Sequence, residues 1–212
     1  MTMSNRTNRR IYRCWAPIYD ALLGRLYAAG RRATMVVLAP RPGQRVLLPG
    51  VGTGADLPLL PEGVSAVGVD LSPAMLARAR AKLPLPGRSV LLICADAHAL
   101  PLRDGACDVG LLNLIVSVVP DGAVCVREAA RVVRHGGRMV IFDKFLPERA
   151  TAGIGRSLLN LFARRVGTDI NRRLGNLVTG SGCVILADRP AALGGAYRIV
   201  VVQVDARLSA AE

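Results

Sequence analysis

The stretch RVLLPGVGTGADLPLLPEGVSAVGVD, residues Arg45–Asp70, decides the fold. Two apolar runs, Gln44–Leu48 and Ser65–Asp70, stand on either side of a Gly-x-Gly-x-Gly turn. Short runs of this kind are typical of strands that are buried on both faces of a parallel sheet. Glycines placed directly after such a strand let the backbone turn sharply and approach a ligand closely. The stretch therefore predicts a strand, a glycine turn, a modest helix that begins at Ala55 or Asp56, and a second strand.

Strand-like and helical segments alternate along the rest of the chain. A helix is predicted after Ser72 and Pro73, since serine caps a helix and proline suits its first position. A second helix is predicted over Asp121–Arg134, and a glycine pair follows it as a stop. A short link bearing Pro and Gly before the last strand favours an antiparallel closing pair. The sequence thus predicts a doubly wound α/β fold, with further strands over Ser89–Cys94, Asp108–Val116, Arg138–Asp143, Cys183–Ala187 and Tyr197–Val204.

The composition limits the setting and the partners of the chain. Its 212 residues suffice for one ordinary domain, and its 51% apolar residues exclude a mainly disordered chain. A net charge of +13 predicts affinity for an anionic partner: nucleic acid, an anionic membrane or an acidic small molecule. No stretch approaches the roughly 20 apolar residues of a transmembrane helix. Five widely spaced cysteines with no Cys-x-x-Cys pair predict a reducing cytoplasm and no metal site.

Polar residues and the glycine turn mark three successive strand ends. Asp70 ends the second strand, where a carboxylate can accept hydrogen bonds from ribose hydroxyls. Asp96 follows the third strand and is placed to accept a bond from an adenine amino group, with the Ala97 N–H on a ring nitrogen. Each aspartate alone could be a simple helix cap. The three features in order favour a nucleoside-containing ligand at the carboxyl edge of the sheet.

Four motifs over Arg45–Phe145 together resemble those of class I S-adenosylmethionine-dependent methyltransferases: VLLPGVGTG, AVGVDLSPAMLARAR, ADAHALPLRDGACDVGLLN and EAARVVRHGGRMVIFDKF. The resemblance implies S-adenosylmethionine as cofactor and a Rossmann-like sheet of seven strands whose last strand is antiparallel. It also implies that the glycines cradle the methionine part, that Leu71 and Met75 flank the adenine, and that Asn113 faces the methyl donor. The implied cofactor site comprises Gly50, Gly52, Thr53, Gly54, Asp70, Leu71, Met75, Asp96, Ala97 and Asn113.

The first motif departs from the family at one position. The family usually places Glu or Asp two residues before the first glycine, and this chain has Leu48 there, followed by Pro49. The resemblance therefore leaves the cofactor's ammonium group without its usual acidic partner. Tyr19 or backbone carbonyls are the candidates to replace that partner.

The N-terminal segment Ile11–Arg32 (IYRCWAPIYDALLGRLYAAGRR) resembles the start of bacterial phosphatidylethanolamine N-methyltransferases and, more distantly, of quinone C-methyltransferases. Both families place a Tyr-Asp pair, here Tyr19 and Asp20, in a helix that covers the cofactor. Residues 1–35 carry seven arginines, one acidic residue and four aromatic residues. A basic helix with such aromatics can lie on an anionic membrane, and a solvated helix that merely covers the site is the alternative.

These observations divide the chain into a basic N-terminal helical lid, residues 1–40, and a methyltransferase domain, residues 41–212. Within that domain, Thr151–Val178 has the pattern of one or two basic amphipathic helices. This second basic segment could extend a membrane-facing surface, or it could be an ordinary covering helix.

We therefore predict an enzyme that N-methylates phosphatidylethanolamine or a related phospholipid at the membrane surface, from the cytoplasm or as a peripheral protein of the inner membrane. Tyr19 and His98 are the candidate catalytic residues, since either could take the proton that the acceptor ammonium must lose. A solvated loop histidine is the alternative for His98.

Three other functions compete with this prediction. The first is methylation of a small soluble or amphipathic acceptor, such as a quinone, a thiol or a secondary metabolite. The second is nucleic-acid binding, which is disfavoured because the fourth strand lacks an Asn/Asp-Pro-Pro-aromatic motif and aromatic residues make up only 4% of the chain. The third is cofactor binding without catalysis, which the apolar residue at position 48 motivates.

Overall fold

Residues 27–146 and 168–205 are the part of the chain that the structure, a computed structural model, describes. The strands of this part are β1 (Arg45–Pro49), β2 (Ser65–Asp70), β3 (Ser89–Cys94), β4 (Val109–Asn113), β5 (Arg138–Lys144), β6 (Cys183–Ala192) and β7 (Tyr197–Val204). Its helices are α1 (27–38), α2 (Pro73–Arg80), α3 (Gly122–Val132) and α4 (Leu174–Val178).

The seven strands form one sheet in the order β3-β2-β1-β4-β5-β7-β6. Strands β1 to β5 run parallel, and β7 lies antiparallel between β5 and β6. The predicted doubly wound α/β fold, with seven strands and an antiparallel last strand, is therefore confirmed. The strand order reverses between β1 and β4, and open α/β sheets bind ligands beyond the carboxyl ends of the strands at such a point. The carboxyl ends of β1, β2 and β4 thus mark where a ligand site has to lie.

The central strands send their side chains alternately into two apolar clusters, one on each face of the sheet. In β1, Val46 and Leu48 join the cluster that contains Met35 of α1, whereas Leu47 joins the cluster that contains Val126 of α3. All five side chains are buried, and burial of a side chain of this size stabilises a fold by about 1.5–3 kcal/mol. Because both faces are covered, the central strands are continuous apolar runs, as the sequence indicates.

The strand β3 departs from the expectation that every apolar run is buried on both faces. It lies at the edge of the sheet, and each of its six residues is exposed or half-buried, with Leu91 56% exposed. The run SVLLIC resembles the central runs in composition, so hydrophobicity alone does not distinguish an edge strand from a central one.

Capping residues confirm two of the predicted helices. The Ser72 hydroxyl accepts a hydrogen bond from the Met75 N–H at the start of α2. The Asp121 carboxylate accepts bonds from the N–H groups of Ala123 and Val124 at the start of α3. Helix α3 ends earlier than predicted, because Val133 is already extended with a ψ of 134°.

The helix predicted to begin at Ala55 or Asp56 is absent from the described residues. A single 3-10 turn, Leu57–Leu59, follows the glycine turn, and Leu60 after it is extended with a ψ of 134°. Leu60 precedes Pro61, and proline disfavours the helical region for the residue before it. The prediction of a helix was wrong because this proline keeps Leu60 out of the helical region.

The fourth strand is also shorter than predicted, since it ends at Asn113 and not at Val116. Leu114 turns out of the strand with a φ of 60°, and its N–H donates to the Phe142 carbonyl over 2.7 Å. This turn leaves Asn113 as the last residue of β4, at the carboxyl edge of the sheet.

The two predicted basic segments are described only in part. Residues 1–26, which include Tyr19, and residues 151–167 lie outside the described residues. Residues 27–38 form α1. In the second segment, residues 168–173 are not helical and Leu174–Val178 forms the short helix α4, so one or two helices over this segment stay a prediction. The division at residue 40 stays a prediction. Within the described ranges, no helix combines the length and the apolar character that crossing a membrane requires.

Candidate active site

The glycine turn after β1 uses each of its glycines in the left-handed region, with φ values of 67° at Gly50, 56° at Gly52 and 75° at Gly54. A Cβ on Gly50 would lie 2.4 Å from the Ile115 side chain, and one on Gly54 would lie 2.8 Å from Leu57. A Cβ on Gly52 would meet no atom closer than 3.9 Å. The outer two glycines are therefore required by packing, while the middle one leaves open space where a ligand can approach. Thr53 between them is buried.

Asp70 joins the end of β2 to the glycine turn. Its Oδ2 accepts a hydrogen bond from the Gly52 N–H over 2.9 Å, and its Oδ1 accepts one from the Ser72 N–H over 2.8 Å. Burial raises the pKa of the Asp70 carboxyl, and the two backbone N–H groups counteract part of that rise. A carboxylate offers about four acceptor positions, so Asp70 keeps capacity for the hydroxyls of a ribose. Leu71, the next residue, is half-buried, and Met75 in the first turn of α2 is buried.

His98 lies between two aspartates after β3. Its Nδ1 is 2.8 Å from Asp96 Oδ1, and its Nε2 is 2.9 Å from the Asp121 carbonyl oxygen. Asp96 Oδ1 also accepts from the His98 backbone N–H, and Ala97 between them is buried. The His98 side chain is only 16% exposed, so the alternative of a solvated loop histidine is wrong. Both ring nitrogens have protein partners, which favours a positioning role for this residue.

Asn113 at the end of β4 belongs to a buried polar cluster that the sequence did not predict; its other members are Arg31, Thr34 and Asp56. The Asn113 Nδ2 donates to Asp56 Oδ1 over 2.9 Å and to Thr34 Oγ1 over 3.2 Å. The Arg31 Nη1 donates to Asp56 Oδ2 over 2.5 Å. The contacts connect α1, the glycine turn and β4, which are far apart in the chain. One signal in the sequence was available: Asp56 is a carboxylate two residues beyond the glycines, in a motif that lacks its usual acid.

The Asn113 Oδ1 is buried and has no hydrogen-bond partner among the described residues. Leaving a buried acceptor unpaired costs about 1–3 kcal/mol. A ligand that brings an N–H donor to this point would remove that cost. The open space at Gly52, the carboxylate of Asp70 and the unpaired oxygen of Asn113 therefore fit the nucleoside and amino-acid parts of the cofactor that the sequence predicts.

A second polar cluster, also missed in the sequence, lies at the end of β5. Asp143 is fully buried, and its Oδ2 accepts from the Ser117 N–H over 3.0 Å. The Lys144 Nζ donates to Ser117 Oγ over 3.0 Å and lies 5.8 Å from the centre of the Tyr197 ring. Burial lowers the pKa of Lys144, and the nearby charges of Asp143 and Asp169 counteract part of that change. The charged Asp-Lys pair after an apolar strand was the available signal.

Aromatic rings adjoin this second cluster. Tyr27 of α1 and Tyr197 of β7 share a hydrogen bond of 2.7 Å between their hydroxyl groups, and both pack against the Phe142 ring. The Tyr27 ring centre is 5.2 Å from that of Tyr197. The aromatic side chains therefore tie α1 to the strands β5 and β7, next to Lys144. In the described ranges, no group of three or more His, Cys, Asp or Glu side chains has an arrangement that could hold a metal ion.

Comparison with known proteins agrees with this geometry. Residues 47–141 match the family model described as a methyltransferase domain. A phosphatidylethanolamine N-methyltransferase of Cereibacter sphaeroides is 33% identical over 196 residues, which cover 92% of this chain and 96% of that protein. A demethylmenaquinone methyltransferase of Thermus thermophilus is 36% identical over 148 residues, or 66% of each chain.

Among solved structures, the geranyl diphosphate C-methyltransferase of Streptomyces coelicolor, in complex with Mg²⁺, geranyl diphosphate and S-adenosyl-L-homocysteine, superposes with a TM-score of 0.67. Its sequence is 16% identical, and the match covers 90% of this chain and 84% of that one. At this level of identity, the likeness shows the fold alone.

A fold of this topology, a glycine turn with three polar strand ends, and near full-length similarity to one methyltransferase define the class. The chain belongs to the class I S-adenosylmethionine-dependent methyltransferases. It is an enzyme that uses S-adenosylmethionine as its cofactor and methylates a small molecule, so these predictions are confirmed. The competing prediction of a nucleic-acid-binding protein is not confirmed.

Proposed function

We propose that the enzyme N-methylates phosphatidylethanolamine or a related phospholipid. The observation that carries the proposal is the extent of similarity to the phosphatidylethanolamine N-methyltransferase, which includes 92% of this chain. The match to the Thermus thermophilus quinone enzyme has a similar identity but includes only 66% of the chain. A match over nearly the whole length extends beyond residues 47–141, the range of the methyltransferase family model, into the segments before and after it.

The cofactor site in this proposal is built from the strand ends described above. The turn of Gly50, Gly52, Thr53 and Gly54 would hold the methionine part and Asp70 the ribose. The adenine would lie between Leu71 and Met75 and be recognised by Asp96 and Ala97, and Asn113 would face the methyl donor. Each role is consistent with the position of its residue at the carboxyl edge of the sheet.

S-adenosylmethionine supplies a methyl group that its positively charged sulfur already activates. The protein therefore has to align a neutral amine with that methyl group and keep water out, which are effects of proximity and exclusion. The headgroup ammonium must first lose a proton, and water or Tyr19 are the acceptors that we propose. His98 holds both of its ring nitrogens on protein groups, so we assign it the positioning of Asp96.

The charge distribution on α1 supports contact with a membrane only in part. Arg32 and Val36 lie on its exposed side, and Val36 is 77% exposed. Arg31 on the same helix points inward to Asp56 and is therefore unavailable to a membrane surface. The proposed membrane surface rests on the remaining basic residues of the N-terminal segment, with the enzyme acting as a peripheral protein.

The test uses vesicles that contain phosphatidylethanolamine and an anionic lipid, together with cofactor labelled on its methyl group. The expected result is label in the mono-, di- or trimethylated lipid, and none from vesicles in which phosphatidylcholine replaces phosphatidylethanolamine. Absence of labelled lipid over a range of anionic contents, with cofactor binding intact, would overturn the proposal.

A quinone acceptor is the second candidate, and the 36% identity to the demethylmenaquinone methyltransferase favours it. The same labelled cofactor is offered with demethylmenaquinone in detergent. Labelled quinone without labelled lipid would replace the first proposal with this one.

A further inference from the structure

We propose that Asp56 holds the ammonium group of the cofactor's methionine end, and that Arg31 beside it holds the carboxylate. Asp56 would thereby replace the acidic residue that the family usually places at the position of Leu48. The inference rests on the cofactor and on this chain's own residues, and not on which acceptor is methylated.

Leu48 has no negative charge with which to bind the ammonium group. Its side chain is 2% exposed and packs in the same apolar cluster as Met35 and Leu57. A carboxylate at that point would need a partner for its charge inside the cluster. The strand therefore contributes hydrophobic packing where relatives contribute an acid.

Asp56 brings a carboxylate to the same face of the sheet. Strand β1 pairs with β4 so that Leu47 lies opposite Gly110, and Leu48 and Leu111 both belong to the cluster on the α1 side. Residues alternate between faces along a strand, so Asn113 points to this side as well. The hydrogen bond from Asn113 to Asp56 Oδ1 then fixes the aspartate there.

The orientation of the Asn113 amide leaves an acceptor directed away from its protein partners. Its nitrogen donates to both Asp56 and Thr34, and the opposite orientation would set a carbonyl oxygen against a carboxylate. The Thr34 hydroxyl itself donates to the Arg31 carbonyl, so its oxygen is an acceptor for Asn113. Asn113 Oδ1 is consequently the buried atom without a partner among the described residues. An ammonium group has three N–H donors and no acceptor, which suits both this oxygen and the carboxylate of Asp56.

The charges of the cluster complement an amino acid zwitterion. The Asp56 side chain is 6% exposed and the Arg31 side chain 13% exposed, and they form an ion pair of 2.5 Å. Arg31 bonds to Asp56 through Nη1, and the Nε and Nη2 donors of the same guanidinium are the ones that we propose for the carboxylate. An ammonium on Asp56 and a carboxylate on Arg31 would extend the pair into four alternating charges. The two proposed contacts therefore support each other.

The test is a calorimetric comparison of three ligands on purified enzyme. S-adenosylhomocysteine carries the ammonium and the carboxylate, its decarboxylated analogue carries only the ammonium, and 5′-methylthioadenosine carries neither. For Asp56→Asn we expect Kd to rise about tenfold or more for the first two ligands and to stay within about twofold for methylthioadenosine. For Arg31→Gln we expect about a fivefold rise for S-adenosylhomocysteine alone.

Two control variants separate these contacts from general damage. Asp104→Asn removes another carboxylate that pairs with an arginine at 2.5 Å, on the surface, and should change none of the three affinities. Thr34→Val removes a hydrogen bond of the same cluster. It should lower the Tm and leave the relative affinities for the three ligands unchanged. An equal loss of affinity for all three ligands in Asp56→Asn, or no loss for any of them, would overturn the proposal. The cluster would then serve only to connect α1 to β4.

Discussion

The two halves of the carboxyl edge of the sheet are built in different ways. The half at β1 and β2 is made from backbone: glycines with positive φ, and a carboxylate on Asp70 that accepts main-chain N–H groups. The half at β4 and β5 is made from side chains: Asn113, Asp143 and Lys144 bond to groups that lie 26 to 79 residues away or next to them. A short local motif is enough to build the first half, whereas the second half has to be assembled from residues that are distant in the chain.

The largest effect is expected at the backbone half, for Gly50→Ala. An alanine would have to keep the φ of 67°, which a Cβ disfavours, and its Cβ would lie 2.4 Å from Ile115. We therefore expect a loss of about 2–4 kcal/mol in the free energy of unfolding. Gly136→Ala is the matched control, because it has a φ of 73° and open space around its Cβ; it should cost only about 1–2 kcal/mol. Urea titration measures both. Equal losses would mean that the turn has no special packing.

This contrast also explains how much the sequence could predict. The strand ends, the glycine turn and Asp70 are local patterns of a few residues. The structure has the glycine turn and the seven strands in the predicted chain order, although β4 ends at Asn113 and β6 continues to Ala192. Arg31, Asp56 and Asn113 come together across 25 and 57 residues, and no local pattern encodes such a contact. The sequence pattern predicts Asp56 only as a helix start, although the proline at position 61 limits the chain there to one 3-10 turn.

The half that is built from side chains is tested by Asp143→Asn. The fully buried carboxylate accepts N–H groups from Ser117 and Lys144, so we expect a loss of about 1–3 kcal/mol in stability. Because Asp143 has no contact with the glycine turn or Asp70, Kd for S-adenosylhomocysteine should stay within about twofold of the wild-type value. Thermal unfolding and calorimetry measure the two quantities. A large loss of cofactor affinity would show that the two halves are coupled.

Lys144, in the same half, makes the stability of the protein depend on pH. Burial lowers its pKa in the folded state below its ordinary value of 10.5, so the unfolded chain binds more protons between the folded pKa and 10.5. Stability contributed by this group therefore rises as the pH increases through that window. The Tm of the wild type relative to Lys144→Met should increase from pH 7 towards pH 10.5, with Lys82→Met as the control for loss of a lysine elsewhere. A falling difference would contradict the burial of an ammonium at this point.

The smallest effect is expected for His98→Gln, which tests how the end of β3 contributes to cofactor binding. Glutamine can replace one of the two contacts that His98 makes with Asp96 and Asp121, so Asp96 should be less well fixed and the KM for the cofactor should rise about two- to fivefold. With saturating cofactor, kcat should stay within about threefold, and the pH profile of kcat should keep its shape. A general base would show the reverse: a kcat lower by about a hundredfold and the loss of one limb of the profile. Initial rates over a range of pH, measured with the acceptor that the enzyme methylates, distinguish these outcomes. If kcat falls while KM holds, His98 acts in the chemical step and not through Asp96, and the half of the edge that is built from side chains has to include the end of β3.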